Sequence, residues 1–438
     1  MGKNLVMQNK LLIACMVAVS LIASCTSPTP PPFAPTFLLQ PAARVTFNSF
    51  VDCNMAEVWV GDTFRIFPGK YGEDPVWGYA RDLKFADGIN PEQVFASSKE
   101  QFHNPIMPPN APIGKPGLHG AVWFETVYQD RTDVSGKTLY GIYHNENYPA
   151  TLPYDSTTGQ GYHNKKWPQG LTGPESPAAV CRIGIMKSTD GGKSWENKGL
   201  FIEDLDPRMI LKPHNSSNTF AGGVGDPSAV KSGEYLYLFY GEYGFPGKYD
   251  SATYSSGKES SGQCISVARI HLKDLDAPEG KAQRWDGKEF KAPYNEVGMP
   301  VTSLQIDSAR GGGAASSPGG GFHWGPSVSW NTYLNCWVML MGRVEGKSWQ
   351  GDKIYISFNR HENLGEGNNS QDWTTPQLLF QKPGYILWYP SLQPLNEPET
   401  IREKYTCVRL GKRARFYVKR IKPGDDSYAS EHIIEFTK

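Results

Sequence analysis

A short motif recurs three times in the second half of the chain, and acidic, imidazole or aromatic side chains precede it each time. It reads GDPS at 225–228, GPS at 325–327 and YPS at 389–391. The residues before each Pro-Ser, with those of a looser earlier match, are Asp226, His323, Trp324, Trp388, Tyr389 and His119. Carboxylates can act on a glycosidic oxygen and aromatic rings can stack on sugar faces. These residues therefore predict a carbohydrate site.

Each of these residues also has a structural interpretation. Asp226 could form an Asx-Pro turn, the two histidines could be satisfied structural side chains, and the two tryptophans could belong to the core. The equivalent positions of the other repeats carry bulky groups instead of an acid. For that reason we interpret Asp226 as functional and leave both interpretations open for the others.

Further acids could supply a second carboxylate. Asp62 ends the apolar run 58–62 and Asp82 ends the run 78–82, so each could lie at the tip of a strand, although a turn acid is the alternative. We predict Asp62 and Asp82 as the catalytic pair, with Asp226 as the supporting acid. Additional substrate-binding candidates are Glu146, Glu242 and Arg343.

The elements that must position these residues are predicted to be strands. Helical periodicity is almost absent, and short β-type runs separated by Gly, Pro, Asn and Asp dominate. After each Pro-Ser strand an aromatic strand and a third strand follow, which is the pattern of one propeller blade. Two looser units precede these three, so the sequence predicts an all-β, five-bladed β-propeller, or a six-bladed one if the N-terminal region contains another unit. Inner strands of a propeller surround an axial funnel, where the candidate residues would converge.

Residues 188–195, STDGGKSW, match the Asp-box of sialidases and related propellers. The motif predicts a tight hairpin in which Asp190 caps backbone amides and Trp195 packs back on the blade. In those families the motif lies on the blade rim. We therefore predict a structural role for it.

The N-terminus indicates export. Lys3 and Lys10 precede the apolar run 11–23, which has the length of a signal-peptide core. Residues 22–25, IASC, resemble the bacterial lipobox, in which a peptidase cuts before the cysteine that carries the lipid; an ordinary secretory signal is the alternative. We predict a signal peptide over 1–24, lipidated Cys25 with a Pro-rich tether over 25–42, and the propeller over 43–438. The expected location is the outer membrane, with the lipid as the only membrane contact.

Composition excludes some classes of function. The 44 basic residues balance the 44 acidic ones and no basic stretch occurs, so no nucleic-acid partner is expected. The cysteines after Cys25 include no CxxC pair, so neither a zinc site nor a disulfide framework is indicated, although one disulfide is possible. We expect those cysteines to be buried small hydrophobes, and we expect no cofactor or metal.

The motifs together resemble known families. GDTF at 61–64, a strand ending in Asp82, the Asp-box and GDPS are similar to a family of five-bladed propellers that includes the endo-D-arabinanases of glycoside hydrolase family 183. That resemblance implies an acidic pair at Asp62 and Asp82 that acts on furanosidic linkages. GDPS also resembles the opening strand of glycoside hydrolase family 43, which implies that Asp226 tunes the catalytic acid. FRIFP at 64–68 is similar to the arginine motif of sialidases.

These observations predict a glycoside hydrolase that cleaves a polysaccharide or oligosaccharide with paired carboxylates. The alternatives are an exo-glycosidase like those of family 43 or the sialidases, and a surface lipoprotein that binds glycan without cleaving it.

Replacing Cys25 by alanine should leave the protein unlipidated, because the lipid is attached to that thiol. Fractionation of cells that express the Cys25→Ala variant should then move the protein from the membrane to the soluble fraction. An unchanged distribution would contradict the lipobox assignment.

Overall fold

Most of the strand-like runs form five antiparallel sheets of three to five strands, arranged as the blades of a β-propeller, as predicted. This computed structural model describes residues 33–47, 51–72, 80–96, 101–109, 118, 120–147, 154–155, 160–161, 180–204, 223–243, 263–306, 321–346, 349–395 and 409–438. Within these ranges the single α-helix is α1 (Pro91–Phe95). The described part of the chain holds no helix that is long and apolar enough to cross a membrane.

The first strand, β1 (Thr36–Phe47), begins inside the segment that the sequence assigned to the tether. This strand thus starts before residue 43, where the sequence analysis begins the propeller. Pro41 lies beside a register shift, and β1 is an edge strand, where a residue without an N–H is tolerated.

The first blade is the smallest. Strands β2 (Ala56–Val60) and β3 (Thr63–Phe67) form a hairpin, while β4 (Gly69–Gly72) and β5 (Ala80–Leu83) form a separate pair. Strand β6 (Ala86–Gly88) adds to β3 as the third strand of the blade.

The second blade contains four long strands. In chain order the segment has β7 (Ala121–Gln129), β8 (Leu139–Asn147), the short pair β9 (Tyr154–Asp155) and β10 (Gln160–Gly161), and then β11 (Val180–Ser188) and β12 (Glu196–Ile202). The four long strands lie side by side in the order β7, β8, β11 and β12.

The third and fourth blades also run outward in chain order. The third consists of β13 (Val224–Ser232), β14 (Tyr235–Glu242), β15 (Cys264–His271), β16 (Gln283–Trp285) and β17 (Phe290–Pro293). The fourth consists of β18 (Phe322–Asn331), β19 (Cys336–Val344), β20 (Lys353–Asn359) and β21 (Gln377–Gln381).

The fifth blade closes the ring with strands from both parts of the chain. It contains β22 (Ile386–Pro394), β23 (Arg413–Lys422), β24 (Asp425–Thr437) and, at its outer edge, β1. The β1–β24 pairing extends from Thr36 opposite Thr437 to Phe47 opposite Tyr428. Because this pairing joins distant parts of the chain, it ties the fifth blade to the start of the first.

The inner strands are joined to one another by side-chain hydrogen bonds near the axis. Thr126 Oγ1 of β7 accepts from the Ala229 amide of β13 at 3.0 Å, and Ser228 Oγ of β13 accepts from the Val328 amide of β18 at 3.0 Å. Asn54 Nδ2, just before β2, donates to the carbonyls of Pro227 and Pro326. The recurring Ser or Thr therefore connects each of these strands to the next blade.

Apolar faces of neighbouring blades form the core. One cluster joins the second and third blades through buried residues such as Ile142, Ile185, Leu238 and Ile270. Burial of such side chains contributes roughly 1.5–3 kcal/mol each. The described cysteines, Cys53, Cys181, Cys264 and Cys336, are buried, as the sequence predicted, and Cys407 lies outside the described residues.

The Asp-box forms the predicted hairpin between β11 and β12. Asp190 Oδ1 accepts from the amides of Lys193 and Ser194, both at 2.9 Å, while Gly191 and Gly192 adopt φ of 78° and 91°. Trp195 is buried, and its ring centroid lies 4.5 Å from that of Phe124. The motif therefore anchors an outer hairpin of the second blade to its inner strand.

A related hairpin in the fourth blade escaped sequence analysis. Trp373 Nε1 donates to the Ser370 carbonyl at 3.0 Å, just as Trp195 Nε1 donates to the Gly192 carbonyl at 3.0 Å. The fourth-blade turn lacks the paired glycines of the Asp-box, so the sequence pattern does not match although the tryptophan closes the turn in the same way.

Replacing Trp195 by alanine should lower the free energy of unfolding by about 3–5 kcal/mol, because it leaves a cavity against Phe124 and Phe67. Urea denaturation would measure this loss. The matched control is Val134→Ala at a fully exposed turn, which should change stability by less than about 0.5 kcal/mol. Equal effects of the two substitutions would contradict a structural role of the Asp-box.

Candidate functional site

A cavity of about 200 Å³ lies at the start of the inner strands. All five blades contribute to its wall. Its lining side chains are Asp52, Trp123, His144, Glu146, Asp226, Trp324, Trp349, Trp388 and Tyr389. Acids, an imidazole and indole rings thus meet at one site, as the repeat predicted.

The backbone before each Pro-Ser explains why Asp226 reaches this cavity. Asp226 has φ of 46°, and the equivalent residues Gly325 and Tyr389 have φ of 59° and 47°. All three lie where the inner strand shifts register against its neighbour. A left-handed residue at such a bulge redirects its side chain, and for a residue other than glycine this conformation is uncommon. The strain at Asp226 and Tyr389 therefore occurs where their side chains line the cavity.

Asp226 is held in one orientation by two donors. Its Oδ2 accepts from the hydroxyl of Tyr243 and from Trp324 Nε1, the latter at 2.9 Å. The side chain of Asp226 is buried, and Oδ1 lies 3.7 Å from Nδ1 of His144. Because both partners of Oδ2 donate, the carboxyl group acts there as a fixed acceptor.

His144 lies between two acids. Its Nδ1 is 3.7 Å from Asp226 and 3.9 Å from Oε1 of Glu125. Burial alone would lower the pKa of His144, but the contact with Asp226 and the negative charges of Asp226, Glu146 and Asp52 raise it above its usual value. The surrounding acids therefore stabilise the protonated form of the imidazole.

The pKa of Asp52 is strongly raised. Burial, followed by the charge of Glu146, raises the pKa of Asp52 to about 7, and Asp226 adds to this effect. Lys419 and His144 act in the opposite direction. A carboxyl group with this pKa is partly protonated at neutral pH, so it can donate a proton there.

Buried acids continue from the cavity along the axis. Glu125 occupies the position that proline has in the other repeats, and its Oε2 accepts from the Asn54 amide at 2.7 Å. Burial and then the charge of Asp226 raise the pKa of Glu125 well above its usual value. Glu57, which lines a narrow space of about 30 Å³ beyond, has its pKa raised to about 8 by burial. These acids are therefore mostly protonated near neutral pH.

Aromatic rings also line the cavity, beside the acids. The ring of Trp324 lies 5.2 Å from that of Tyr389 and 5.9 Å from that of Trp388. Trp388 Nε1 donates to the Trp349 carbonyl at 2.9 Å. Trp324 is buried, whereas Trp349 and Trp388 are half-buried, so these two are the rings that a ligand could stack on.

Two sets of side chains around His144 have ligand atoms close enough to hold a metal ion. They are His144 with Glu146 and Cys181, and His144 with Glu125 and Asp226, and the atoms within each set lie within 4.8 Å of one another. Burial raises the pKa values of Cys181 and Glu125 well above their usual values. An ion would have to displace those protons, and we assign no metal to either set.

Five of the residues predicted from sequence line the cavity: Asp226, Glu146, Trp324, Trp388 and Tyr389. Asp62, one of the two acids predicted as the catalytic pair, does not line the cavity. Asp62 lies in the exposed two-residue turn between β2 and β3, beyond the end of an inner strand whose start faces the cavity. Asp82 lies opposite Lys70 in the β4–β5 pair, and its side chain is outside the described residues, as is His119.

Three other predicted binding residues lie away from the cavity. Glu242 is fully buried, where it pairs with Arg284 and accepts from the Gly298 amide at 2.8 Å. His323 has Nδ1 2.7 Å from the Leu304 carbonyl, and burial lowers its pKa to about 4. Arg343, opposite His323 in the β18–β19 pair, lies 3.3 Å from Glu345. Alternation along β18 explains the position of His323, because the neighbours His323 and Trp324 must face opposite sides of the strand.

Sequence analysis missed Asp52, Trp123, His144 and Trp349. A signal existed for two of them. Asp52 stands two residues before Asn54, as Asp226 stands two before Ser228, although no Pro-Ser marks it. His144 precedes Glu146 by two residues on β8, so both lie on one face of the strand. Trp349 lies in a loop, and nothing in its spacing indicates the cavity.

Among the known proteins compared with this chain, only solved structures resemble it. No protein-family model matches this chain, and no curated protein sequence matches it. The catalytic domain of the Coprinopsis cinerea GH62 α-L-arabinofuranosidase matches at 10% identity with a TM-score of 0.44, covering 92% of this chain and 98% of that one.

Two further matches have similar values. An exo-1,5-α-L-arabinanase from a bovine ruminal metagenomic library has 11% identity and a TM-score of 0.42, covering 88% of this chain and 93% of that one. A GH43_1 enzyme from Xanthomonas citri has 11% identity and a TM-score of 0.44, covering 91% and 90%. At these values we take no activity from the matches and rely on the side chains of the cavity.

Proposed function

We propose that this protein is a glycoside hydrolase that cleaves a glycosidic bond with the carboxyl groups of its axial cavity. The observation that carries the proposal is the raised pKa of Asp52, about 7, in a cavity that also contains Glu146 and exposed indole surface. Glycosidic cleavage needs one carboxyl group protonated near neutral pH and another that is ionised.

The roles follow from the surroundings of each acid. Asp52 donates its proton to the glycosidic oxygen as the bond to the anomeric carbon breaks. Glu146, whose charge helps to keep Asp52 protonated, acts as the ionised carboxylate, either taking a proton from the attacking water or attacking the anomeric carbon. Asp226 is a positioning residue, because Tyr243 and Trp324 hold it in place beside His144.

The size of the cavity bears on the sugar that reacts. Its volume of about 200 Å³ is below the roughly 300–1,000 Å³ of most ligand pockets. One small ring fits such a space, with Trp349 and Trp388 available to stack on it. The five-membered ring of a furanoside suits this volume, in agreement with the arabinan-like substrate that the sequence resemblance implies.

The N-terminal sequence supports a location for this activity. A lipid on Cys25 would hold the propeller at the outer membrane, where it would meet polysaccharide before uptake. This part of the proposal depends on the sequence motif and is tested by the Cys25→Ala variant.

Turnover should depend on Asp52 and Glu146. Asp52→Asn and Glu146→Gln preserve shape but remove proton transfer or charge, so each should lower kcat by about 10²–10⁴-fold. The assay is reducing-end release from arabinan, arabinoxylan and galactan, with Tm measured alongside to verify folding. Asp226→Asn should reduce turnover less, because Asp226 acts through its neighbours.

The matched control is Asp62→Asn, since Asp62 is an acid of the same type in an exposed turn. It should retain wild-type turnover. Loss of activity in Asp62→Asn with full activity in Asp52→Asn would contradict the proposed site and favour the pair predicted from sequence. Binding without turnover in the wild-type protein would instead favour a glycan-binding lipoprotein.

A further inference from the structure

A groove of about 830 Å³ lies between the fourth and fifth blades, and it has about four times the volume of the cavity. Its walls come from the loop before β20, the turn before β22 and the β23–β24 turn. Gln350, Tyr385, Ile386 and Lys422 are among the lining residues. Its volume is within the range of sites that bind ligands larger than one sugar ring.

The walls of the groove are preorganised by backbone contacts. The Leu387 amide of the fifth blade donates to the Gly351 carbonyl of the fourth at 2.8 Å, and within the fourth blade the Lys382 amide donates to the Asp352 carbonyl at 3.0 Å. A β-carbon at Gly351 would lie 1.7 Å from the Arg343 carbonyl oxygen, so this close approach requires glycine. A ligand would therefore meet a groove that is already formed.

The charges along the groove nearly cancel. Lys353 Nζ lies 2.7 Å from Glu345 and 3.8 Å from Asp352, and Asp426 lies 2.7 Å from Lys419. Such paired charges give no strong field of one sign, but they offer many donors and acceptors. A neutral ligand rich in hydroxyl groups fits this wall better than a polyanion or a polycation does.

The groove continues from the cavity. Trp349 lines the cavity and the next residue, Gln350, lines the groove. Ile386 lines the groove, and Trp388, two residues further along β22 and thus on the same face, lines the cavity. A chain that leaves the cavity over Trp349 and Trp388 would therefore enter the groove.

Tyr385 supplies aromatic surface in this groove. The side chain is half-buried, and Nζ of Lys422 lies 4.3 Å from the ring centroid while Nζ of Lys382 lies 4.7 Å from it. Both ammonium groups are at the ends of long flexible side chains, so they can move aside for a sugar face.

We infer that this groove binds the units of a neutral polysaccharide that extend from the sugar held in the cavity. The inference rests on the proposed function, because the cavity sets where the bound chain starts. It also implies a polymeric substrate, since a single sugar would leave the groove without a ligand.

The test measures how strongly Tyr385 variants are retained in native gels that contain arabinan, arabinoxylan or galactan. All variants also carry Asp52→Asn, so that the polymer is not cleaved during the run. Tyr385→Ala should weaken retention about tenfold, because stacking surface is lost. Tyr385→Phe keeps the ring and should be retained like the parent. The matched control is Tyr333→Ala, because Tyr333 also has two lysines over its ring but lies in the β18–β19 turn, away from the groove.

A second measurement separates the groove from the chemistry. Without the Asp52 substitution, Tyr385→Ala should raise KM for the polymer and leave kcat/KM for 4-nitrophenyl α-L-arabinofuranoside unchanged, since the small substrate does not reach the groove. If a folded Tyr385→Ala protein hydrolyses both substrates with an unchanged KM for the polymer, the groove does not bind the polymer, and the proposed hydrolase function is unaffected. If retention depends on Tyr385 but the wild-type protein hydrolyses neither substrate, the groove does bind polysaccharide and the proposed hydrolase function is wrong. If no polymer retains the protein, the inference that the groove binds a neutral polysaccharide is wrong.

Discussion

The rest of the structure depends on the way each inner strand begins. A residue in left-handed conformation is followed by proline and then by serine, as at Asp226, Gly325 and Tyr389. The serine hydroxyl of Ser228 accepts from the amide of Val328 in the next blade, as Thr126 does from Ala229 one blade earlier. The same few residues thus fix the spacing between blades and direct side chains into the cavity. Fold and site are coupled because one backbone feature produces both.

Burial then gives the acids of the cavity different roles. Water is largely excluded from the axis, so carboxyl groups there hold their protons more strongly than they would at the surface. The pKa of Asp52 is about 7, so this carboxyl group can exchange its proton near neutral pH, whereas burial raises the pKa of Glu125 well above its usual value. Asp226 is fixed by donors from Tyr243 and Trp324. Acids of one chemical type are therefore separated by environment into a proton donor, a fixed acceptor and buried neutral groups.

Features that repeat from blade to blade could be predicted from the sequence, whereas features that occur in a single blade could not. The Pro-Ser repeat led to the five blades and to Asp226, Trp324, Trp388 and Tyr389, because equivalent positions of blades converge on the axis. Asp62 was chosen as an acid at the end of an apolar run, but a strand has two ends and the cavity lies at the start of β2. Asp52 was missed because the first blade lacks the Pro-Ser marker. Trp349 could not be predicted from the sequence, because its position depends on how a loop packs against the fifth blade.

The central claim is that a carboxyl group with a pKa near 7 donates the proton in glycosidic cleavage. The most direct measurement is the pH dependence of kcat/KM on the best polysaccharide, for the wild-type protein and for Asp226→Asn. Because the active form of Asp52 is protonated, kcat/KM should fall about tenfold per pH unit above pH 7. The negative charge of Asp226 raises the pKa of Asp52. Removing that charge in Asp226→Asn should therefore lower the pKa of Asp52 and move the fall in kcat/KM to lower pH. A kcat/KM that stays constant to about pH 9, or a fall that Asp226→Asn leaves in place, would contradict the account.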